Sequence, residues 1–261
     1  FIGYDHMECE AKVIGLFNNN TLVEKASFNT VIVFDKTPFY AEMGGQVGDE
    51  GCIILNGETF DVLNTFKLPN GQHAHLVNLG ETVLSNNDEV LLKVNEEFRN
   101  NVCSNHSATH LLNESLRKVL GSHVVQQGSL VTDERLRFDF NHYNNLTNEE
   151  ILSIESLVNV QINNSLEVKT LELSKEEAMK TGAQAAFGEK YGDTVRVVDM
   201  GFSKELCGGT HVKNTKEIVR FALVSIESKG SGIFRIEALT GDNVLNAMSE
   251  HLISIKDEIT T

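Results

Sequence analysis

The chain has 261 residues, a formal net charge of −15 and 41% hydrophobic residues, a composition ordinary for a soluble protein of one large or two small domains. The acidic balance argues against broad, non-specific binding of nucleic acid, because phosphate contacts need a positive surface. No apolar run approaches the roughly 20 residues that span a bilayer, and the four cysteines lack disulfide spacing, so we expect a cytoplasmic protein without membrane contact.

The first 95 residues predict a small β-barrel. Short segments with strand character are separated by turn residues such as Asn56-Gly57. These segments cover residues 11–17, 21–26, 31–34, 51–55, 59–66, 72–78 and 89–94. Because the turns are close and no helical period intervenes, a barrel over 1–95 is expected. The glycines of residues 37–49 permit positive φ or close approach by a ligand, although a plain surface loop is the alternative.

Near Asn95 the pattern changes from period 2 to period 3.6, which predicts an α+β domain over 96–241. A helix is expected over about 104–120, capped by Ser104 and ended by Gly121. Capping boxes at Thr147 and Ser174 predict two further helices. Strands are expected at 123–131, 136–140, 168–173, 194–198, 218–228 and 233–239, and a C-terminal helix from Asp242, giving a third segment over 242–261.

Two pairs of nitrogen and sulfur ligands stand far apart in the sequence. His106 and His110 are four residues apart on the predicted helix, so both imidazoles can point at one atom. Cys207 and His211 have the same spacing in a Gly-rich segment. Such a set suits zinc; the alternative is two core histidines, a buried cysteine and a surface histidine. Ser107 stands where a zinc protease of the HExxH type carries glutamate, which argues against peptidase chemistry.

Six strings in a fixed order carry a family resemblance. They are TPFYAEMGGQVGD (37–49), NHSATHLL (105–112), HVVQQGSLV (123–131), LRFDF (136–140), CGGTHV (207–212) and FRIEALTG (234–241). Together they resemble the editing region of alanyl-tRNA synthetase, and more distantly the free-standing AlaX trans-editing proteins and the editing domain of threonyl-tRNA synthetase. Gly3-Tyr4-Asp5 resembles the junction after the synthetase's tRNA-recognition domain, which favours a synthetase fragment over an AlaX-type protein.

The resemblance implies a β-barrel followed by a zinc-binding α+β editing domain that hydrolyses Ser-tRNA(Ala) and Gly-tRNA(Ala). Its implied partners are the acceptor end of tRNA(Ala) carrying Ser or Gly and the rest of the synthetase chain. A second site is needed because an alanine pocket rejects glycine poorly. The missing methyl group changes the binding free energy by only about 1–3 kcal/mol. The class II aminoacylation motifs are absent, so the chain alone is not expected to charge tRNA with ATP.

The resemblance also implies roles for single residues. The zinc ligands are matched by His106, His110, Cys207 and His211. Thr109 would read the amino-acid side chain, and Gln126 would hold the ester or the attacking water. Ser129 and Arg235 match positions that line the pocket. Gly44 and Gly45 match the substrate-contacting glycine motif of the barrel, and Gly208 matches a substrate-contacting position in the zinc loop. For Ser129 and Arg235, structural support is the alternative.

Two mechanisms are open at this point. A zinc ion with three protein ligands and an open position lowers the pKa of a bound water to about 7. With all four ligands bound, zinc organises the site and anchors the substrate while Gln126 and backbone amides position the water. Four candidate ligands favour the second mechanism, and no carboxylate in the motifs is an obvious general base. The rival functions are a non-hydrolytic, zinc-stabilised tRNA-binding module, which Thr109 and Gln126 argue against, and an unrelated zinc hydrolase, which the six strings argue against.

Overall fold

The structure is a computed structural model that describes residues 1–185 and 192–260, with residues 257–260 described by their backbone alone. The chain divides into two compact units, Phe1–Asn100 and Asn101–Thr261. In the described part, no helix is both long and apolar enough to cross a membrane.

The first unit is a β-barrel. Its strands are β1 (Glu8–Asn18), β2 (Thr21–Val23), β3 (Lys25–Ala26), β4 (Asn29–Phe34), β5 (Gly51–Leu55), β6 (Glu58–Lys67), β7 (His73–Asn78), β8 (Leu84–Ser85) and β9 (Glu89–Val94). Six of them pair in the order β1-β4-β7-β6-β5-β9, and β9 pairs again with β1, which closes the barrel. Asn56 and Gly57 both have positive φ, as a tight hairpin turn requires. The predicted barrel is confirmed.

One buried ion pair ties the loop of residues 37–49 to the rest of this unit. Arg99, only 4% exposed, donates to both carboxylate oxygens of Asp49. The same guanidinium donates to the carbonyls of Gly3 at 2.6 Å and Pro38 at 2.8 Å. Asp49 also accepts the Tyr40 N–H at 2.6 Å. These bonds hold the glycine-containing loop in place, and the sequence pattern did not reveal them.

The second unit is α+β, as predicted. Its strands are β10 (Gln126–Val131), β11 (Leu136–Asn141), β12 (Lys169–Ser174), β13 (Thr194–Asp199), β14 (Lys204–Leu206), β15 (Phe221–Gly230) and β16 (Ile233–Thr240). They form a sheet in the order β10-β11-β16-β15 and a second sheet in the order β12-β13-β14. The α-helices within the described residues are α1 (Glu96–Leu120), α2 (Asn148–Asn163), α3 (Lys175–Lys180) and α4 (Gly241–Thr260), and a 3-10 helix covers Thr215–Ile218. The predicted capping boxes at Thr147 and Ser174 are present.

The predicted start of the histidine-bearing helix was wrong. The helix begins at Glu96 rather than after Ser104, because the Asn95 side chain accepts the Phe98 N–H at 3.2 Å and caps the earlier position. The negative charges of Glu96 and Glu97 in the first turn also interact favourably with the positive end of the helix dipole. Its end is as predicted, since Gly121 has a φ of 121° and donates its N–H to the Arg117 carbonyl.

The apolar face of α1 sets the orientation of its histidines. Ala108, Leu111 and Leu112 are fully buried and belong to the same core cluster as Phe138 and Phe140 of β11. At about 100° per residue, this face lies on the opposite side of the helix from His106 and His110. Packing of the core therefore turns both imidazoles away from the four-stranded sheet and towards the segment that carries Cys207.

Candidate metal centre

Four side chains from two distant segments converge in the second unit. The ligand atoms of His106, His110, Cys207 and His211 all lie within 4.8 Å of one another. The Cys207 Sγ is 3.4 Å from the His106 Nε2 and 3.3 Å from the His211 Nε2. His106 and His110 come from α1, whereas Cys207 and His211 lie in the loop that follows β14. The structure thus brings together the four residues that the sequence paired only by spacing.

The outward nitrogens of two of these imidazoles are held by neighbouring side chains. The His110 Nδ1 is 2.8 Å from the Glu205 Oε2. The His211 Nδ1 is 3.1 Å from the Ser107 Oγ, which also accepts the Val212 N–H at 3.1 Å. Metal-binding histidines in proteins are usually fixed in this way, because a partner on one ring nitrogen sets the tautomer and the aim of the other.

Glu205 is the functional residue that sequence analysis missed. It is 7% exposed and receives hydrogen bonds from Asn113 at 2.9 Å and from the Ser203 hydroxyl at 3.0 Å, besides its contact with His110. A carboxylate therefore belongs to the site, although its oxygens are engaged in orienting other groups. The available signal was its place in the sequence, two residues before Cys207.

The four side chains fit a zinc ion. The His110 Nε2 is buried without a hydrogen-bond partner, and leaving such a group unsatisfied costs about 1–3 kcal/mol. A cation among the four ligand atoms would supply the partner that this nitrogen lacks. Three imidazole nitrogens and one thiolate are a ligand set typical of zinc.

The charges of the cluster are coupled. Burial alone raises the pKa of the Cys207 thiol, but the neighbouring histidines, His106 above all, outweigh it and bring that pKa well below its usual value. The cysteine is thereby held as the thiolate, the form that binds metal. Burial and the charge of His106 lower the pKa of His211 to about 3, which keeps this imidazole neutral. Burial opposes a charge on His110 too, but Glu205 and Cys207 raise its pKa to about 10.

Backbone contacts shape the loop that carries the cysteine. The Arg196 guanidinium donates to the carbonyls of Cys207 at 3.1 Å and Gly209 at 2.8 Å. The Gly209 N–H points at the Cys207 sulfur, 3.4 Å away. Gly208 lies between them in this loop, directly beside the cluster. Arg196 therefore fixes the path of the backbone from Cys207 to Gly209.

A cavity of about 240 Å³ adjoins the Glu205 side of the cluster. It is lined by Asn113, Arg117, Val124, Val125, Gln126, Gln184, Ala185 and Glu205. The Gln126 side chain donates through Nε2 to the Ser129 Oγ at 3.1 Å. Because Glu205 contacts both His110 and the cavity, the cavity and the histidine–cysteine cluster share one wall.

The remaining predicted site residues are not all brought to this place. Thr109 is buried on α1, and its hydroxyl donates to the Asn105 carbonyl at 2.8 Å. Arg235 lies opposite Asp139 in the β11–β16 pairing and makes two hydrogen bonds of 2.8 Å to it. Ser129 lies opposite the fully buried Phe138. Since Phe138 and Asp139 are neighbours on β11, Arg235 and Ser129 point to opposite faces of the sheet.

Gly44 and Gly45 belong to the first unit. Both have positive φ, 61° and 81°, in a tight turn in which Met43 and Gln46 exchange two backbone hydrogen bonds. This turn geometry requires residues that tolerate positive φ at both central positions, which explains the two glycines without a ligand. Their contact with a substrate stays a prediction.

Comparison with known families agrees with this architecture. Residues 1–98 match the family described as tRNA synthetases class II (A), and residues 195–237 match the Threonyl and Alanyl tRNA synthetase second additional domain. The fold and the site therefore define a segment of a class II tRNA synthetase with that additional domain.

Full-length relatives narrow the assignment. The chain is 52% identical over 94% of its length to an alanine–tRNA ligase of Pseudothermotoga lettingae, of which it covers 28%. It is 46% identical over 98% of its length to an alanine–tRNA ligase of Acholeplasma laidlawii, of which it covers 29%. The identity to alanine–tRNA ligase 1 of Lachnoclostridium phytofermentans is 45% over 99% of the chain and 29% of the relative. The chain belongs to the alanyl-tRNA synthetase family and spans less than a third of the length of these relatives.

Proposed function

We propose that this chain hydrolyses the ester that joins serine or glycine to tRNA(Ala), at a zinc site formed by His106, His110, Cys207 and His211. The observation that carries the proposal is the convergence of these ligand atoms within 4.8 Å of one another, beside a cavity lined by Gln126. Membership of a synthetase family with the second additional domain supports an aminoacyl-tRNA as the substrate class.

Ester hydrolysis requires a positioned water and donors for the developing oxyanion in a site shielded from bulk solvent. Zinc, when bound, supplies a localised positive charge and Lewis acidity at the cluster. Gln126 uses its amide N–H on Ser129, so its carbonyl oxygen is the atom that can accept a hydrogen bond from a water in the cavity. Glu205 and Ser107 hold the imidazoles of His110 and His211 in the orientation that directs their other nitrogens inward.

Thr109 is suited to recognising serine as a hydrogen-bond acceptor. Its own hydroxyl proton is directed to the Asn105 carbonyl, which leaves the hydroxyl oxygen to accept from a substrate hydroxyl. Gly208 offers backbone beside the cluster without a side chain that would block a substrate. For Arg235 we propose support of the sheet through Asp139 rather than contact with the substrate.

The proposed partners are the acceptor end of tRNA(Ala) carrying serine or glycine and the remainder of a synthetase chain. The ligase reaction with alanine and ATP would belong to parts of such a protein outside this segment. The four cysteines are free in the structure, which supports a reducing compartment such as the cytoplasm.

A deacylation assay tests the proposal. Single-turnover release of the amino acid is measured for Ser-tRNA(Ala), Gly-tRNA(Ala) and Ala-tRNA(Ala), with the unaltered chain, Cys207→Ala and the matched control Cys52→Ala. We expect hydrolysis of the seryl and glycyl esters, little hydrolysis of the alanyl ester, and a loss of at least about a hundredfold in Cys207→Ala only. Binding of zinc and tRNA(Ala) without loss of any ester would instead favour the non-hydrolytic module and overturn the proposal.

A further inference from the structure

Three aromatic rings form a cluster, here called the stack, at the surface of the second unit. The rings of His123 and His142 lie edge to edge and nearly in one plane, with centroids 5.1 Å apart and an interplanar angle of 21°. Tyr143 stacks on His123 at 4.6 Å and 23°. The Tyr143 side chain is 76% exposed. One face of its ring therefore packs on His123 while the other is open to solvent.

Hydrogen bonds hold His123 and the backbone that follows it in position. The His123 Nε2 and His142 Nδ1 are 2.9 Å apart, within hydrogen-bond distance. Asn141 donates to the His123 carbonyl at 2.9 Å and accepts the Val125 N–H at 2.6 Å. From the other side, Arg117 donates to the Val124 carbonyl at 2.8 Å. These bonds fix the His123 ring on which Tyr143 packs, so a planar ligand on the open face of Tyr143 would be supported from behind.

The stack adjoins the cavity of the proposed hydrolytic site. Val124, Val125 and Gln126 line that cavity, and His123 is the residue before them. Arg117 and Asn141, which hold the same segment, connect α1 and the end of β11 to it. A polymer whose reacting end occupies the cavity would have its next groups in the neighbourhood of the stack.

We propose that the open face of Tyr143 stacks on an unpaired base at the 3′ end of the tRNA whose ester enters the cavity. Unpaired bases bind proteins by stacking on aromatic rings, with little dependence on sequence. The chain carries a net charge of −15, so attraction to phosphates contributes little and contacts that do not depend on charge become more important. This inference rests on the proposed function, because it takes the aminoacyl-tRNA as the ligand of the cavity.

The test uses the 261-residue chain and uncharged tRNA(Ala) with 2-aminopurine in place of its terminal adenine. Stacking on a ring quenches 2-aminopurine fluorescence, so the titration gives both the affinity and the contact. We expect Tyr143→Ala to weaken binding about tenfold or more and to lose the quenching, whereas Tyr143→Phe keeps both. Phe28→Ala, which removes a 60% exposed ring from the other unit, is the matched control and should behave as the unaltered chain does.

Kinetics with Ser-tRNA(Ala) separate the two proposals. Loss of the stacking ring should raise KM by a similar factor and leave kcat and the zinc content nearly unchanged. Binding, quenching and KM that are the same in Tyr143→Ala as in the unaltered chain would overturn the stacking proposal, even if the ester is hydrolysed. Equal losses in Tyr143→Phe and Tyr143→Ala would overturn it as well. An unaltered chain that quenches the probe through Tyr143 but hydrolyses no ester would overturn the proposed function alone.

Discussion

Glu205 is expected to set the zinc affinity through the orientation of His110. Its carboxylate contacts the His110 Nδ1 at 2.8 Å and accepts hydrogen bonds from the Asn113 amide at 2.9 Å and the Ser203 hydroxyl at 3.0 Å. Glu205→Ala removes the acceptor that holds the proton on the His110 Nδ1 and so directs Nε2, which must give up its own proton to bind zinc, towards the other ligands. Loss of such a partner typically costs 10–100-fold in metal affinity, or about 1.4–2.7 kcal/mol.

The order of three variants tests this reasoning. Glu205→Gln keeps an acceptor for Nδ1–H but loses the negative charge, so its zinc affinity should fall between those of the unaltered chain and Glu205→Ala. Glu89→Ala, which removes an exposed carboxylate from β9 of the first unit, is the matched control and should bind zinc as the unaltered chain does. Affinities are measured by competition with a chromogenic chelator at constant pH, with circular dichroism as the check on folding. Undiminished affinity in a folded Glu205→Ala protein would refute the positioning role.

Three further predictions concern the barrel unit. Arg99→Met should lower the free energy of unfolding by about 3–5 kcal/mol, because it leaves the buried Asp49 carboxylate unpaired. Denaturant titration, followed by hydrogen exchange of barrel peptides, measures this loss, and adding Asp49→Asn should recover part of it. A loss below about 1 kcal/mol would contradict the prediction. Burial lowers the pKa of His75 to about 3 from 6.5. Below pH 6.5 the unfolded chain therefore binds a proton that the folded barrel excludes, so stability should fall as the pH is lowered from 6.5 to 3. The unfolding equilibrium constant should rise by up to about tenfold per pH unit in this range. His75→Gln should remove this contribution, and an unchanged pH slope in that variant would argue against it. Gly45→Ala should cost about 1–2 kcal/mol, because alanine strains at a φ of 81°; equal denaturation midpoints would count against this account of the turn.

Local signals in the sequence were sufficient for most of the fold. The turn at Asn56-Gly57 and the capping boxes at Thr147 and Ser174 each depend on residues a few positions apart, so their elements could be predicted. The start of α1 was missed because only Phe98, Val102 and Cys103 are apolar among its first eight residues, and this sparse spacing was not taken as part of the helix. Asn95 caps that helix, and only the structure distinguishes it from Ser104 as the N-terminal signal.

Features that depend on distant pairs could not be predicted. Asp49 and Arg99 meet across 50 residues of sequence, and Glu205 reaches an asparagine 92 positions away. The four candidate metal ligands could be predicted because His106 and His110, like Cys207 and His211, are four residues apart in the sequence. Two such pairs together make a four-ligand set. Placement of Arg235 on the face of the sheet opposite Ser129 follows from strand register, which the motif FRIEALTG does not contain.

The most direct measurement of the central claim is the rate of serine release from Ser-tRNA(Ala), followed together with the zinc content of one preparation. The rate is measured for the chain as isolated, after removal of zinc by a chelator, and after zinc is returned. The account predicts about one zinc per chain, a loss of hydrolysis that parallels the loss of zinc, and recovery of both. Full hydrolysis by a folded chain that contains no zinc would contradict it.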